Sequence, residues 1–170
     1  VLGPDVILAF AYGAPRNIAP NRAIARAVLY EVKNGAAVFT QDDVPLQGYP
    51  VEIRFARVDK GWYLSTLDIA RQFVEEAKKR RWWRRVLVIA AAPHRRRCLR
   101  DVREVARRAG LNIEVSVDEF VNGRFRPKSW YSPESTQWWT QNLWRWWLRE
   151  IPLRLLPFTV YEWLNDRGKK

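Results

Sequence analysis

Four short segments of this chain place polar residues directly beside apolar runs or at a helix start. Tyr12-Gly13-Ala14 follows the run at residues 6–11, Gln41-Asp42-Asp43 follows 36–40, and Ala92-Pro93-His94 follows 86–91, while Ser65-Thr66 opens a helical pattern. In an open parallel sheet, ligands bind outside the carboxyl ends of the strands, where loops lead into helix N-termini. Free N–H groups and the positive dipole end favour an anion there. His94 is the only histidine. In the first turn of a helix its proton affinity falls, which leaves a neutral imidazole near pH 7 able to give or take a proton. The competing reading is a hydrogen-bonded structural histidine. Arg97, three residues on, suits an anionic group. Gly13 permits close backbone approach or a positive φ. Asp42 or Glu150 would orient His94. Glu150 falls within an apolar arc near Trp139 and Trp146, so its carboxylate needs a partner or a raised pKa; a structural ion pair to a core Arg stands beside a role in the site. Cys98 lies four residues from His94, a spacing open to a metal, but it points with the apolar side of its helix and no further soft ligand is near. No metal site is expected.

The elements that must position these residues follow from periodicity. Continuous apolar runs at 6–11, 36–40 and 86–91 read as strands buried on both faces, and 51–55 and 113–117 as further strands. A first helix opens at Pro20 and Asn21, carries Ile24, Ala27, Val28 and Val32, and closes at Asn34-Gly35. A second follows Ser65-Thr66 with Leu67, Ala70, Phe73, Val74 and Ala77 on one side. A third starts at Pro93 and runs to Ala109 before Gly110, with Cys98, Leu99, Val102, Val105, Ala106 and Ala109 opposite its Arg residues. The order β-α-β-β-α-β-α-β predicts an α/β fold, a three-layer Rossmann-like sandwich with a mainly parallel sheet. One domain over 1–170 is expected, with a Trp-rich C-terminal helical segment at 129–164 packing on it. Seven of the ten Trp lie from Trp130 onward. That segment reads as a helix from Pro133 to Ile151, broken after Pro152 and Pro157. Trp139, Leu143, Trp146, Trp147 and Ile151 share its apolar side, against Gln141, Asn142, Arg145 and Arg149. Packing across the sheet and an interfacial role are both open to such a stripe.

Charge narrows the partners. The chain has 170 residues, 30 Lys+Arg and 18 Asp+Glu, a net charge of +12. Between Lys78 and Arg108 there are 13 basic residues and two acids, and 23 of all 30 cations are Arg. An anionic partner fits this: a phosphorylated small molecule, nucleic acid or anionic lipid. A solvated helix face is the bland alternative. One Cys excludes an internal disulfide framework and a multi-Cys zinc site. No run of 18 apolar residues is present, so a spanning helix is not expected, and the chain reads as cytoplasmic or membrane-peripheral. It opens at Val1 and holds no Met, which leaves room for a signal peptide or anchor upstream.

The segments Ser65-Thr66-Leu67-Asp68-Ile69-Ala70, Arg85-Val86-Leu87-Val88-Ile89 and Pro93-His94-Arg95-Arg96-Arg97-Cys98-Leu99 together resemble the YdcF/SanA/ElyC-like family of bacterial proteins. Members carry a Thr-x-x-Asn-Ala-like segment at a helix start, a hydrophobic strand, a Ser/Thr-x-x-His-x-x-Arg segment, and often a Glu in the C-terminal helix. Thr66, His94, Arg97 and Glu150 fall on those positions, and Asn21 and Gly13 on the first crossover and its loop. The match is sharpest over residues 64–100. Here Ile69 stands for the family's Asn, no hydroxyl precedes His94, and the Gly-rich turn is reduced to Gly13. The resemblance implies a Rossmann-like fold with a site at the strand ends, S-adenosylmethionine as a ligand, and a place in cell-envelope metabolism. No Gly-x-Gly loop supports that ligand directly.

The leading functional expectation is therefore an anionic or nucleotide-like small molecule held by Gly13, Asn21, Asp42, Thr66 and Arg97, with His94 and Glu150 as catalytic groups if the protein is an enzyme. The alternatives are a nucleic-acid-binding module using the Arg/Trp face from Arg80 to Arg108, with Arg80-Arg81-Trp82-Trp83-Arg84-Arg85 at its start, and peripheral attachment to an anionic membrane.

Overall fold

The structure is a computed structural model that describes residues 3–32, 35–50, 52–57, 64–118 and 123–167. Asn34 and Val51, expected at a helix end and in a strand, lie outside the described residues. Five strands, β1 (Val6–Ala9), β2 (Ala37–Thr40), β3 (Ile53–Phe55), β4 (Arg85–Ile89) and β5 (Glu114–Val117), form one parallel sheet in the order β3-β2-β1-β4-β5. Helices α1 (Ala19–Glu31), α2 (Thr66–Lys79) and α3 (Arg95–Arg108) cover its two faces. This is the Rossmann-like α/β sandwich that the apolar runs imply.

Side-chain alternation along β1 builds both cores. Val6, Leu8 and Phe10 point into a cluster with Ile69, Phe73 and Val74 of α2 and Cys98, Val102 and Ala106 of α3. Ile7, Ala9 and Ala11 point the other way, against Ile24, Ala27 and Val28 of α1. All four residues of β1 are fully buried, which is why it reads as an unbroken apolar run. Ser65 starts α2 with a capping box: its hydroxyl accepts from the Asp68 N–H, and the Asp68 carboxylate accepts from the Ser65 N–H. The strand order reverses beside β1, with β2 on one side and β4 on the other, so a crevice opens outside their carboxyl ends.

The C-terminal segment departs from expectation in three ways. The helix expected from Pro133 begins instead as α4 (Leu143–Leu155), capped by Asn142, whose side chain accepts from the Arg145 N–H. Upstream, the buried hydroxyl residues Ser132, Ser135 and Thr140 tie the chain into turns, including a short 3-10 turn at Trp138–Thr140. Pro152 does not end α4 but lies inside it on an exposed turn, where the freed carbonyl meets water. The break comes at Leu156, extended as the residue before Pro157 must be (φ −70°, ψ 136°). Most consequentially, of the apolar side, open to packing across the sheet or to an interfacial role, only Trp146 is buried on α4; Leu143, Trp147 and Ile151 are exposed. The inward stripe is Trp146, Arg149, Glu150 and Leu153, because Glu150 is drawn to Arg97. Helix α5 (Phe158–Arg167) then docks on α2 and α3: the Tyr161 hydroxyl donates to Asp101 at 2.9 Å, and Arg71 pairs with Glu162 and Asp166. Among the described residues no helix is long and apolar enough to cross a membrane.

Candidate functional site

Outside the ends of β1 and β4 lies a cavity of about 310 Å³. Gly13, Thr66, His94 and Arg97 line it, as the topology predicts, and Tyr12, Gln41, Thr140, Trp146 and Arg149 complete the polar and aromatic walls. Its position at the reversal of strand order is where a doubly wound sheet places a ligand.

The floor is the loop after β1. Gly13 has φ +87°, and a Cβ there would sit 2.7 Å from both Ser135 Oγ and Thr140 Oγ1. Only glycine meets both demands. Asn21, fully buried, organises this loop from α1: its Oδ1 accepts from the Tyr12 N–H at 2.8 Å, and its Nδ2 donates to the Gly13 and Pro15 carbonyls. All its polar atoms are spent on backbone, so Asn21 shapes the loop and does not line the cavity.

His94 is the N-cap residue of α3, one position earlier than a place inside the first turn. It is 8% exposed, its Nε2 lies 2.9 Å from Thr66 Oγ1, and Trp146 and Tyr12 flank its ring. The Nδ1 atom has no hydrogen-bond partner among the described residues. Burial first, then the charges of Arg97, Arg149 and Arg154, hold the imidazole well below its ordinary pKa. The ring is therefore neutral near pH 7.

Two guanidiniums reach the cavity wall. Arg97 is 5% exposed, with Nη1 3.4 Å from Glu150 Oε2; the other Glu150 oxygen accepts from Arg154 Nε at 3.0 Å. Arg149 stacks over Trp139 at 4.2 Å and is pulled down to about 10, mainly by burial and next by the Arg97 charge. One carboxylate thus serves a group of three arginines, and the excess positive charge faces the cavity and a neighbouring hollow that also touches Thr66, Arg97 and Arg149.

Besides Asn21, two expected site residues stand outside the cavity lining. Asp42 is exposed and accepts from Gln47 Nε2 at 2.6 Å. Its neighbour Gln41 turns inward instead, its side-chain carbonyl accepting from the Ala11 N–H at 3.3 Å. Glu150 has no exposure and lies behind the wall, a counter-ion to Arg97 and Arg154 that orients them without touching the cavity. Arg149 and Thr140 were not among the expected site residues. The pattern puts Arg149 opposite the apolar side of α4, and the roll of that helix toward Trp146 and Glu150 brings it to the cavity. Cys98 sits in the core, its thiol raised well above its usual range by burial. In the run from Arg80 to Arg85, Trp83 is buried and stacked on Phe73, Trp82 is exposed, Arg80 pairs with Glu52 and Glu76, and Arg85 pairs with Asp5.

No protein-family model, curated protein or solved structure matches the chain.

Proposed function

We propose that the cavity binds an anionic, nucleotide-like small molecule in a YdcF-like manner, with Arg97 and Arg149 on its phosphate or carboxylate. The observation that carries this is charge imbalance at depth. Two largely desolvated guanidiniums border an open cavity, while Glu150, the buried carboxylate paired with Arg97, is shared with a third arginine, and the buried Asp101 behind it is engaged by Arg100 and Tyr161. A buried cation left short of counter-charge is costly, and an incoming anion offsets that cost. Of the aromatic lining, half-buried Trp139 can meet a ring, whereas Tyr12 and Trp146 are almost fully covered. Neutral His94 lines the cavity and is the group that would exchange a proton should the bound group react.

S-adenosylmethionine fits this lining poorly. It carries a sulfonium and an ammonium, and no carboxylate lines the cavity among the described residues. No step is derived through it.

Arg149→Ala is the informative variant, because Arg149 can be removed without touching either ion pair of Glu150, whereas Arg97→Ala removes one of the two and leaves Oε2 without its guanidinium. Calorimetry with adenosine diphosphate, pyrophosphate and adenosine should give binding of the two phosphates and little of the nucleoside. The Arg149→Ala affinity for adenosine diphosphate should fall about tenfold or more, the size of one charged hydrogen bond. Absence of binding by either phosphate, or an unchanged affinity in Arg149→Ala, defeats the reading.

A further inference from the structure

Helix α4 leaves most of its apolar side in solvent. At about 100° per residue, Leu143, Trp147, Ile151, Trp144, Leu155 and Leu148 fall within one arc of roughly 140°. All six are exposed, Trp144 and Leu155 at 79% and Leu148 at 68%. Helix α5 adds Trp163, Val160 and Leu164, exposed along its own side. Soluble proteins rarely leave so continuous an apolar helix face in water.

The charges around the face select what covers it. Arg154 lies over the Trp147 ring at 5.2 Å and Arg167 over Trp163 at 4.0 Å, and exposed Arg145 makes its side-chain hydrogen bond to the neutral amide of Gln141. The three acids of α4 and α5 are all engaged by guanidiniums: Glu150 by Arg97 and Arg154, Glu162 by Arg71 and Arg108, and Asp166 by Arg71. The surface therefore offers Trp and Leu with arginines interleaved and every acid of these two helices neutralised. Indole rings beside snorkelling cations suit the headgroup–acyl boundary, and cations there are drawn to anionic lipid.

We propose that the α4–α5 face docks on an anionic lipid bilayer, with Trp144, Leu148, Ile151 and Leu155 entering the interface. This does not depend on the cavity's ligand. The full chain is mixed with phosphatidylcholine vesicles, alone or with roughly one-third phosphatidylglycerol. Co-sedimentation and a blue shift of Trp emission are expected with the anionic vesicles only. The double variant Trp144→Glu/Leu148→Glu, altered at two solvent-facing positions and checked for an unchanged far-ultraviolet spectrum, should lose about tenfold or more of that binding. No binding to anionic vesicles overturns the proposal, as does equal binding to neutral ones or binding unchanged in the double variant. Light scattering that reveals a dimer abolished by the same variant, without vesicle binding, assigns the face to a second copy and equally overturns it.

Discussion

His94 joins the site to stability through a single proton. Its folded pKa lies below the ordinary value of 6.5, so above that pH the folded and unfolded chains both hold it neutral. As pH falls through 6.5 the unfolded chain takes the proton first, and stability drops by up to about 1.4 kcal/mol per pH unit until the folded imidazole also protonates. Urea midpoints at about pH 7 and 5.5 should therefore diverge more in the wild type than in His94→Gln. Equal divergence would mean that the ring is not desolvated. Asn21 makes a second residue-scale prediction. Asn21→Ala strands the Tyr12 N–H and two carbonyls, and should cost about 2–3 kcal/mol in chemical denaturation, with the loop under the cavity loosened.

Among the elements, α5 is fastened less by apolar burial than by specific polar contacts. Tyr161 is its one buried residue, and its hydroxyl answers Asp101, whose carboxyl pKa burial has raised. Tyr161→Phe keeps the ring but removes the donor, and should lower the denaturation free energy by about 1–2 kcal/mol. The strands and the helices over the sheet were legible because each carries a period that only one packing satisfies. The β1 run is apolar at every position, and α2 advertises its start with Ser65 and Asp68. Helix α4 was not legible. One edge of its apolar arc, Trp146 with Glu150, turns inward while Leu143, Trp147 and Ile151 stay outside, because Glu150 and Arg97 find each other across 97–150, a pairing no local pattern encodes. The same blindness hid Arg149 and put Asp42 at the cavity in place of Gln41. Gly13, Thr66, His94 and Arg97 were legible because strand ends in a parallel sheet converge whatever the intervening sequence.

At the scale of the whole molecule, the C-terminal segment is built into the core that α1 covers. Trp146 belongs to the cluster that holds Ile7, Ile24 and Val28, and the Ser135 and Thr136 turn bonds back to Ala14. Thermal unfolding followed by far-ultraviolet ellipticity and by Trp emission should coincide as one transition. An earlier fluorescence step would mean that the tail melts by itself. The two-sided packing of α4, with Trp146 and Glu150 inward and Leu143, Trp147 and Ile151 outward, also bears on how this sequence can change. Inserting one residue after Asn142 would turn every later side chain of the helix by about 100°. Trp146 and Arg149 would leave their positions, and Arg145 and Leu148 would take them. A point substitution touches one flank alone, but an insertion in this helix spoils both at a stroke and should cost more than any single replacement on its outer side.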